Sequence, residues 1–486
     1  MNTRTSEEIK YAPVSRNGFQ EINYIHERKS DTLYVYFTII TIVLTWIGGV
    51  ATSVWSSPAI MKMKSNDTNI NPLGRPITTE EISMLLGIPG IIALTGFILF
   101  PKLADCIGRK KSLLVAALLM FLSIVATSFT KDITSLIVFI TFINIFFFGI
   151  LAIVPVYITE ICESHNRAKF SCIMTLCIPL GQLYVYIIGP IFSFRTFTLL
   201  TAAPLIPFMV LYSFATESPV FLLSKGRREE CLNALTKLRG NKSEKELELD
   251  LIQMRESLSS SKQCKSVRTL SLLRTKRTRV GIMLGFLPIT VQYFCGAAVF
   301  MPLMAPILDE SGSNLSGNTL AMIVGAVKVT SFGFTSIIVE RVGKKKLLVI
   351  SSAATAIPIT LLGVFFYLKS IGSPLVLQNR WVPLVSVVAF FIFYSIGLGS
   401  IPLGLIGELF TLDCRATATG LIMTIVNLLC IIYTASYPLL AEAIGSHSCM
   451  WIFGFTCCLG AILIKFVYPE TTGKSITEIQ QILIRY

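Results

Sequence analysis

Apolar residues gather in twelve runs, each about as long as the roughly 20 residues a helix needs to cross a bilayer. Read from the pattern, the runs cover 34–60, 81–101, 112–130, 133–159, 170–194, 196–215, 280–305, 319–339, 346–368, 381–409, 416–441 and 447–468. The longest polar interval, 215–279, divides them six and six. The predicted fold is an all-α integral membrane protein with twelve transmembrane helices in two six-helix bundles. Its expected parts are a cytosolic tail over 1–33, a first bundle over 34–215, a cytosolic linker over 216–279, a second bundle over 280–468 and a tail over 469–486. Within the linker, Cys231, Leu235 and Leu238 share one helical face, as do Leu247, Leu251, Met254 and Leu258. That spacing predicts two short amphipathic helices lying against the cytosolic ends of the spans, a clasp between the halves. The first 33 residues are polar and mixed in charge, without the apolar core of a signal peptide, so the first span is expected to direct insertion.

Composition agrees: 53% of residues are hydrophobic, only 14% are charged, and mean hydropathy is +0.69. That is too little charge for a water-facing surface of this size. The net charge of +14 looks at first like a nucleic-acid signal, but its distribution excludes one. With the N-terminus in the cytosol, 34 of the 42 Lys and Arg fall in inner segments and 7 in outer loops. The bias is the positive-inside rule, placing both termini in the cytosol. Asn66-Asp67-Thr68 and Asn314-Leu315-Ser316 are sequons in outer loops, making Asn66 and Asn314 candidate glycosylation sites. Asn241-Lys242-Ser243 falls on the cytosolic side and should stay bare. The twelve cysteines form no CxxC pattern and no loop pairing, and His26, His165 and His447 lie outside the spans or at an edge. No metal or cofactor site and no intramembrane enzyme is expected from them, and no glycine loop of an ATP-driven pump is present. Plasma membrane is the default address, since no retention or lipid-anchor signal is seen.

The charges at span ends repeat between the halves. Asp105-Cys106-Ile107-Gly108-Arg109-Lys110-Lys111 follows the second span, and Glu340-Arg341-Val342-Gly343-Lys344-Lys345-Lys346 follows the eighth. Glu160 precedes Arg167 by seven after the fourth span, and Glu408 precedes Arg415 by seven after the tenth. Glu217-Ser218-Pro219 follows the sixth span, and Pro469-Glu470-Thr471 the twelfth. Matched acids and bases in register predict a cytosolic gate: Asp105, Arg109, Glu160, Arg167, Glu217, Glu340, Arg341, Lys344, Glu408, Arg415 and Glu470. Pairs across the seam would hold that side shut in one state and part in the other, as in alternating access between repeats.

On these motifs the chain resembles the sugar porters of the major facilitator superfamily, and among them the animal glucose and insect trehalose facilitators. The resemblance covers about residues 33–482. It is carried further by Trp55-Ser56-Ser57-Pro58-Ala59, Pro155-Val156-Tyr157-Ile158-Thr159-Glu160, Ile401-Pro402 with Gly407-Glu408-Leu409-Phe410, and Pro469-Glu470-Thr471-Thr472-Gly473-Lys474. It implies the major facilitator fold, no enzyme activity, a small-molecule sugar as substrate and the lipid bilayer as surroundings.

The resemblance also implies where a sugar would sit, and there the chain departs from the pattern. In the seventh span Gln292 stands for the first of two family glutamines, Tyr293 replaces the second, and Ala298 replaces an asparagine. Thr175 aligns with a sugar-contacting glutamine of the fifth span. Leu403 replaces the tryptophan after Ile-Pro, and Asn427 aligns with the second residue of an Asn-Trp pair. Ile140 and Val220 replace two arginines. The sharpest departure is Lys328, mid-way along the eighth span, where the family carries Gln or Asn. An ionisable group at that depth is costly unless solvated or paired, and no carboxylate shares the depth. Lys328 is therefore expected to face a central water-filled cavity and to touch substrate. The candidate binding set is Thr175, Gln292, Tyr293, Lys328 and Asn427. No acid lies deep in a span, which favours facilitated uniport over proton coupling. A carrier for a small organic anion, or a non-transporting sensor or decayed paralogue, are the other readings.

Overall fold

In the computed structural model the described residues are 32–240, 242–243, 246–256, 276–410, 412–470 and 478. Every regular element among them is a helix, and together they carry the chain back and forth twelve times. The spans run Leu33–Met63, Thr79–Ile107, Arg109–Thr127, Ile133–Ile161, Ser164–Ile191 and Phe194–Tyr212 in the first half. In the second half they run Thr278–Glu310, Gly317–Val342, Lys344–Ser370, Val382–Ile396 continuing into Ile401–Leu409, Leu412–Ile444 and Ser446–Val467. Among the described residues nine helices are long and apolar enough to cross a membrane, and shorter apolar helices at Leu176–Ile191 and Val382–Ile396 lie on two further passes.

Several helices overrun the apolar runs, the second reaching Ile107 and the fifth starting at Ser164. The extra turns bring in polar residues, and two of the helix starts are capped. Thr78 and Glu81 form a reciprocal capping box at the start of the second span (Glu81 N–H to Thr78 Oγ1, 3.3 Å). Asp132 accepts the Ser135 N–H at 2.8 Å where the fourth begins. Such caps satisfy N–H groups that have no partner within the helix.

Among the described residues five spans are interrupted where the sequence reads as continuously apolar: the first at Trp55, the second over 94–95, the sixth over 202–204, the seventh over 295–296 and the tenth over 397–400. The seventh interrupts at Gly296, whose φ of +99° is left-handed and whose added Cβ would lie 2.5 Å from Phe453 Cδ2. The tenth interrupts over 397–400, where the Leu398 N–H is taken up by Ser351 Oγ at 3.0 Å. The repeated Gly108 and Gly343 have φ of +105° and +89°, and each caps the span that follows. The sequence repeat is thus a conformational one.

Helices at Pro219–Ser224 and Arg228–Arg239 and a helical stretch over 246–256 share a small apolar core of Phe221, Leu222, Cys231, Ala234, Leu235, Leu247 and Leu251. An ionic knot fastens them to the first half. The buried Arg239 donates to the Ile161 carbonyl at 2.9 Å and pairs with Glu163 at 3.2 Å. Lys242 Nζ stands 3.0 Å from both Glu163 and Asp250. Thr32 Oγ1 adds a bond to the Leu238 carbonyl at 2.8 Å. The expected clasp is therefore described on one side; Leu258 lies outside the described residues. The face carrying these helices is called the insert face below.

The halves meet away from the insert face. Ser57 Oγ accepts the Ala305 N–H at 2.9 Å, Ser56 Oγ donates to the Pro302 carbonyl at 3.0 Å, and Tyr186 donates to the Met301 carbonyl at 3.1 Å. One apolar core there merges residues of both halves, among them Trp55, Met63, Phe300, Leu303 and Tyr437. The core nearer the insert face, around Leu113, Ile153, Phe170 and Tyr212, consists of first-half residues together with Leu238 of the insert. The Lys328–Gln182 bond crosses the halves at mid-depth. The seam is closed on the face opposite the insert.

Candidate functional site

At mid-depth, a connected set of polar and aromatic side chains joins four spans from both halves. Lys328, on the eighth span, is 1% exposed. Its ammonium donates to Gln182 Oε1 of the fifth span at 2.5 Å and sits 4.5 Å from the centroid of the Phe391 ring on the tenth. The sequence expectation placed Lys328 against a water-filled cavity. Instead it is enclosed in the seam between the fifth and eighth spans, with an amide and a ring in place of water. Phe391 lies edge-on to Tyr394 at 6.1 Å. A Cβ at Gly399 would come within 2.9 Å of both Tyr394 and Phe332, so only a bare backbone fits there. The Gly399 carbonyl accepts a hydrogen bond from Gln292 Nε2 at 3.2 Å.

The local sequence explains the construction. The break over 397–400 frees the Gly399 carbonyl from the helical ladder and turns it to the seventh span. Phe390 and Tyr394, one turn apart, stack at 6.1 Å and fix the Phe391 face under Lys328. An ammonium in apolar surroundings with neutral partners alone carries an unneutralised charge. Beyond the Gln182 bond it has two further donor positions.

The other candidates are spread around this set. Tyr293 and Asn427 are half-buried, and the Asn427 amide is turned back to the Met423 carbonyl of its own helix at 2.7 Å. Thr175 lies on the fifth span two turns from Gln182, with its side chain outside the described residues. Sequence reasoning missed Gln182 and Phe391. The signal that could have found Gln182 is its position, a lone amide inside the apolar run Ile178–Ile191.

The charged set at the insert face is resolved in part. Arg109 grips Glu160 through Nε at 3.0 Å and Nη2 at 3.1 Å, and Asp105 adds a contact at 3.2 Å. Glu217 accepts the backbone N–H groups of Arg109 and Lys110 at 2.8 and 3.0 Å. These pairs knit the second, third, fourth and sixth spans of one half. The expectation of pairs across the seam is not met by them, since all four residues belong to the same half. The side chains of Arg167, Glu340, Arg341, Glu408 and Arg415 lie outside the described residues, while Lys344 and Glu470 are partly exposed at the insert face. Asn66 and Asn314 are exposed on the opposite face, as the alternation of spans requires, and Asn314 Oδ1 accepts from Arg380 at 3.4 Å.

Comparison with known proteins places this geometry. The family described as Sugar (and other) transporter matches residues 33–483. The chain is 28% identical over 463 residues to the facilitated trehalose transporter Tret1 of Polypedilum vanderplanki, covering 94% of this chain and 90% of that one. It is 26% identical over 492 residues to Tret1 of Drosophila pseudoobscura pseudoobscura, covering 99% of this chain but spanning 55% of that relative's length. The fold resembles the inward-open conformation of the xylose transporter XylE from E. coli, with a TM-score of 0.75 at 20% identity over 92% of this chain and 100% of that one.

Proposed function

Because this chain belongs to the Sugar (and other) transporter family, we propose that it carries a sugar such as glucose or trehalose down its gradient by alternating access. A membrane transport protein of sugar-porter type, rather than an enzyme, is the shared premise. The substrate, the uniport mechanism and the residues below are our reading. The observation that carries it is the Gln182–Lys328–Phe391–Tyr394–Gln292 set. It lies at mid-depth where the halves meet, the place a carrier keeps its site.

In this reading substrate hydroxyls replace the Lys328–Gln182 bond. The ammonium donates to a hydroxyl oxygen, the Gln182 and Gln292 amides accept and donate, and the Phe391 and Tyr394 rings pack against the apolar face of the sugar. Thr175, Tyr293 and Asn427 complete the wall as the halves rock. Placing the insert face and both termini in the cytosol, as the Lys and Arg bias supports, makes the present arrangement inward-facing at the plasma membrane. Asn66 and Asn314 are then extracellular and open to glycosylation. Arg109, Glu160, Asp105 and Glu217 hold the first half rigid. The cytosolic gate would close when Arg167, Glu340, Arg341, Lys344, Glu408, Arg415 and Glu470 meet that cluster. Among the described residues no carboxylate lies away from the span ends, which supports uniport.

A second reading, a carrier for a small organic anion, is favoured by one observation: among the described residues Lys328 has no acidic partner, and a substrate carboxylate would supply one. Counterflow in proteoliposomes separates the readings. Vesicles preloaded with unlabelled trehalose or glucose should transiently concentrate the labelled sugar. Counterflow of lactate or succinate with none of either sugar would establish the anion reading instead.

A further inference from the structure

At the insert face the first half carries an open groove of about 660 Å³ that the carrier reading leaves unused. One wall comes from the end of the second span and the start of the third, with Ile107, Lys111 and Val115. The other comes from the helix Pro219–Ser224 and the turn after it, with Phe221, Lys225 and Arg227. The volume falls within the roughly 300–1,000 Å³ of pockets that hold small ligands.

Depth and charge decide what suits it. The third span begins at Arg109, so Lys111 stands in its first turn, where the span leaves the hydrocarbon. Val115, Leu118 and Leu122 follow Lys111 at helical spacing on one face, and they are 38%, 47% and 53% exposed. A bare apolar stripe on a span faces acyl chains, so the groove opens onto the lipid layer. Most cations nearby are committed. Arg109 takes Asp105 and Glu160, Lys110 donates to the Ser213 carbonyl at 2.6 Å, and Arg227 takes Glu230. Lys111 and Lys225 are exposed, and among the described residues neither has an acidic partner. The Lys225 ammonium lies over the Phe221 ring, 5.6 Å from its centroid, which holds it at the groove.

We propose that this groove binds the headgroup of an anionic phospholipid of the cytosolic leaflet. Lys111 and Lys225 hold its anionic groups, and its acyl chains run along Val115, Leu118 and Leu122. A free phosphate would satisfy the two ammonium groups and leave the apolar stripe bare, whereas a lipid covers both. The bound lipid ties the insert to the third span by a contact separate from the Arg239 knot. From the carrier reading the proposal takes only the cytosolic placing of the insert face, and it does not depend on the solute carried. The repeat within the chain supplies a control. Lys346 stands three positions past Gly343 as Lys111 does past Gly108. It opens the ninth span at its own first turn but lies outside the groove.

The test follows the first lipid to bind, by native mass spectrometry of the full-length protein in mild detergent. The probes are phosphatidylserine, whose phosphate and carboxylate offer two anionic groups, phosphatidylcholine of the same chains, and inorganic phosphate. Phosphatidylserine should bind at least about tenfold more tightly than phosphatidylcholine, and Lys111→Gln/Lys225→Gln should weaken it about 30-fold, the equivalent of about 1 kcal/mol for each lysine. Lys345→Gln/Lys346→Gln should leave it unchanged. Lys111 and Lys225 are exposed, so folding should be undisturbed, and thermal unfolding against the parent checks this. Cys106 is an exposed free thiol in the lining of the same groove and reports occupancy. It should react more slowly with a water-soluble maleimide in bilayers containing phosphatidylserine than in phosphatidylcholine alone, and this protection should vanish in Lys111→Gln/Lys225→Gln. Equal weakening in both lysine pairs, or in neither, would overturn the site and leave only diffuse attraction to a basic face. Cys106 equally reactive in both bilayers would also overturn it. Phosphatidylcholine bound as tightly as phosphatidylserine would overturn recognition by charge. Displacement of the lipid by an equal concentration of inorganic phosphate would overturn the lipid as occupant.

Discussion

The pair Gln182 and Lys328 offers the sharpest test of how the mid-depth site is held together. Removing the amide in Gln182→Leu leaves the ammonium with the Phe391 ring alone. A hydrogen bond to a charged group contributes about 1.5–3 kcal/mol, so unfolding in mixed micelles should become easier by that amount, about 10- to 150-fold in the equilibrium constant. Lys328→Met behaves differently. A charged residue at mid-span costs about 2.5–3.5 kcal/mol on insertion scales. The amide bond returns about 1.5–3 kcal/mol and the cation–π contact about 0.5–2 kcal/mol. These terms nearly cancel, so Lys328→Met should lie within about 1 kcal/mol of the parent. The double variant should match Lys328→Met rather than show the sum of the two losses, because Gln182→Leu is harmful only while the charge is present. The coupling between the two changes should then be about 1.5–3 kcal/mol. Additive effects would refute the pairing. Sugar uptake is the second readout: Lys328→Met should lower kcat/KM at least tenfold (about 1.4 kcal/mol or more) despite its unchanged stability. Uptake equal to the parent would make Lys328 a packing residue and remove it from the site.

Other expectations follow from the insert face. Gly108→Ala should fail to accumulate as folded protein, seen as loss of a monodisperse chromatographic peak, because its Cβ would lie 2.2 Å from Glu217 Oε2 at a φ of +105°. Glu160→Gln should lower stability by about 1–3 kcal/mol, since it takes the charge from a largely buried pair with Arg109; thermal unfolding of the purified protein checks it. Arg239→Ala should release the insert from the first half, read as faster proteolysis within 216–256 at unchanged cleavage elsewhere. The same knot predicts a pH dependence. Burial alone would lower the Lys242 ammonium, but hydrogen bonds and charges of Asp250 and then Glu163 outweigh it and hold it above the usual 10.5. A raised lysine contributes stability fully below its unfolded value near 10.4. That stability is lost as pH rises through the higher folded value. Protection of the insert should therefore be level from pH 7 to 10 and fall only beyond about 10.5.

The spans were legible because a bilayer imposes one simple demand, about 20 apolar residues at a stretch. Some of their ends were not, because polar residues such as Thr79 at the start of the second span and Ser164 at the start of the fifth continue the helix beyond the apolar run, which hydropathy does not register. The breaks at Gly296 and over 397–400 were hidden inside apolar runs, since what forces them is close packing against Phe453 and Ser351 from other spans. The odd residue, Lys328, stood out from sequence alone because a lysine at that depth is rare. Its partner did not: Gln182 is 146 positions away, on a span whose expected contact was Thr175. The gate shows the same division. The register of Arg109 and Glu160 was readable, but whether they pair within a half or across the seam depends on how the halves are tilted. The structure shows the pairing within a half.

The most direct test of the central claim is uptake of labelled glucose and trehalose into oocytes expressing the full chain, with and without an imposed pH gradient. The expected result is saturable uptake of at least one of the two sugars, unchanged by the gradient and at least about tenfold weaker in Lys328→Met. Uptake that follows the gradient would contradict uniport. With the protein shown at the cell surface, absence of uptake for both sugars would contradict the sugar carrier itself.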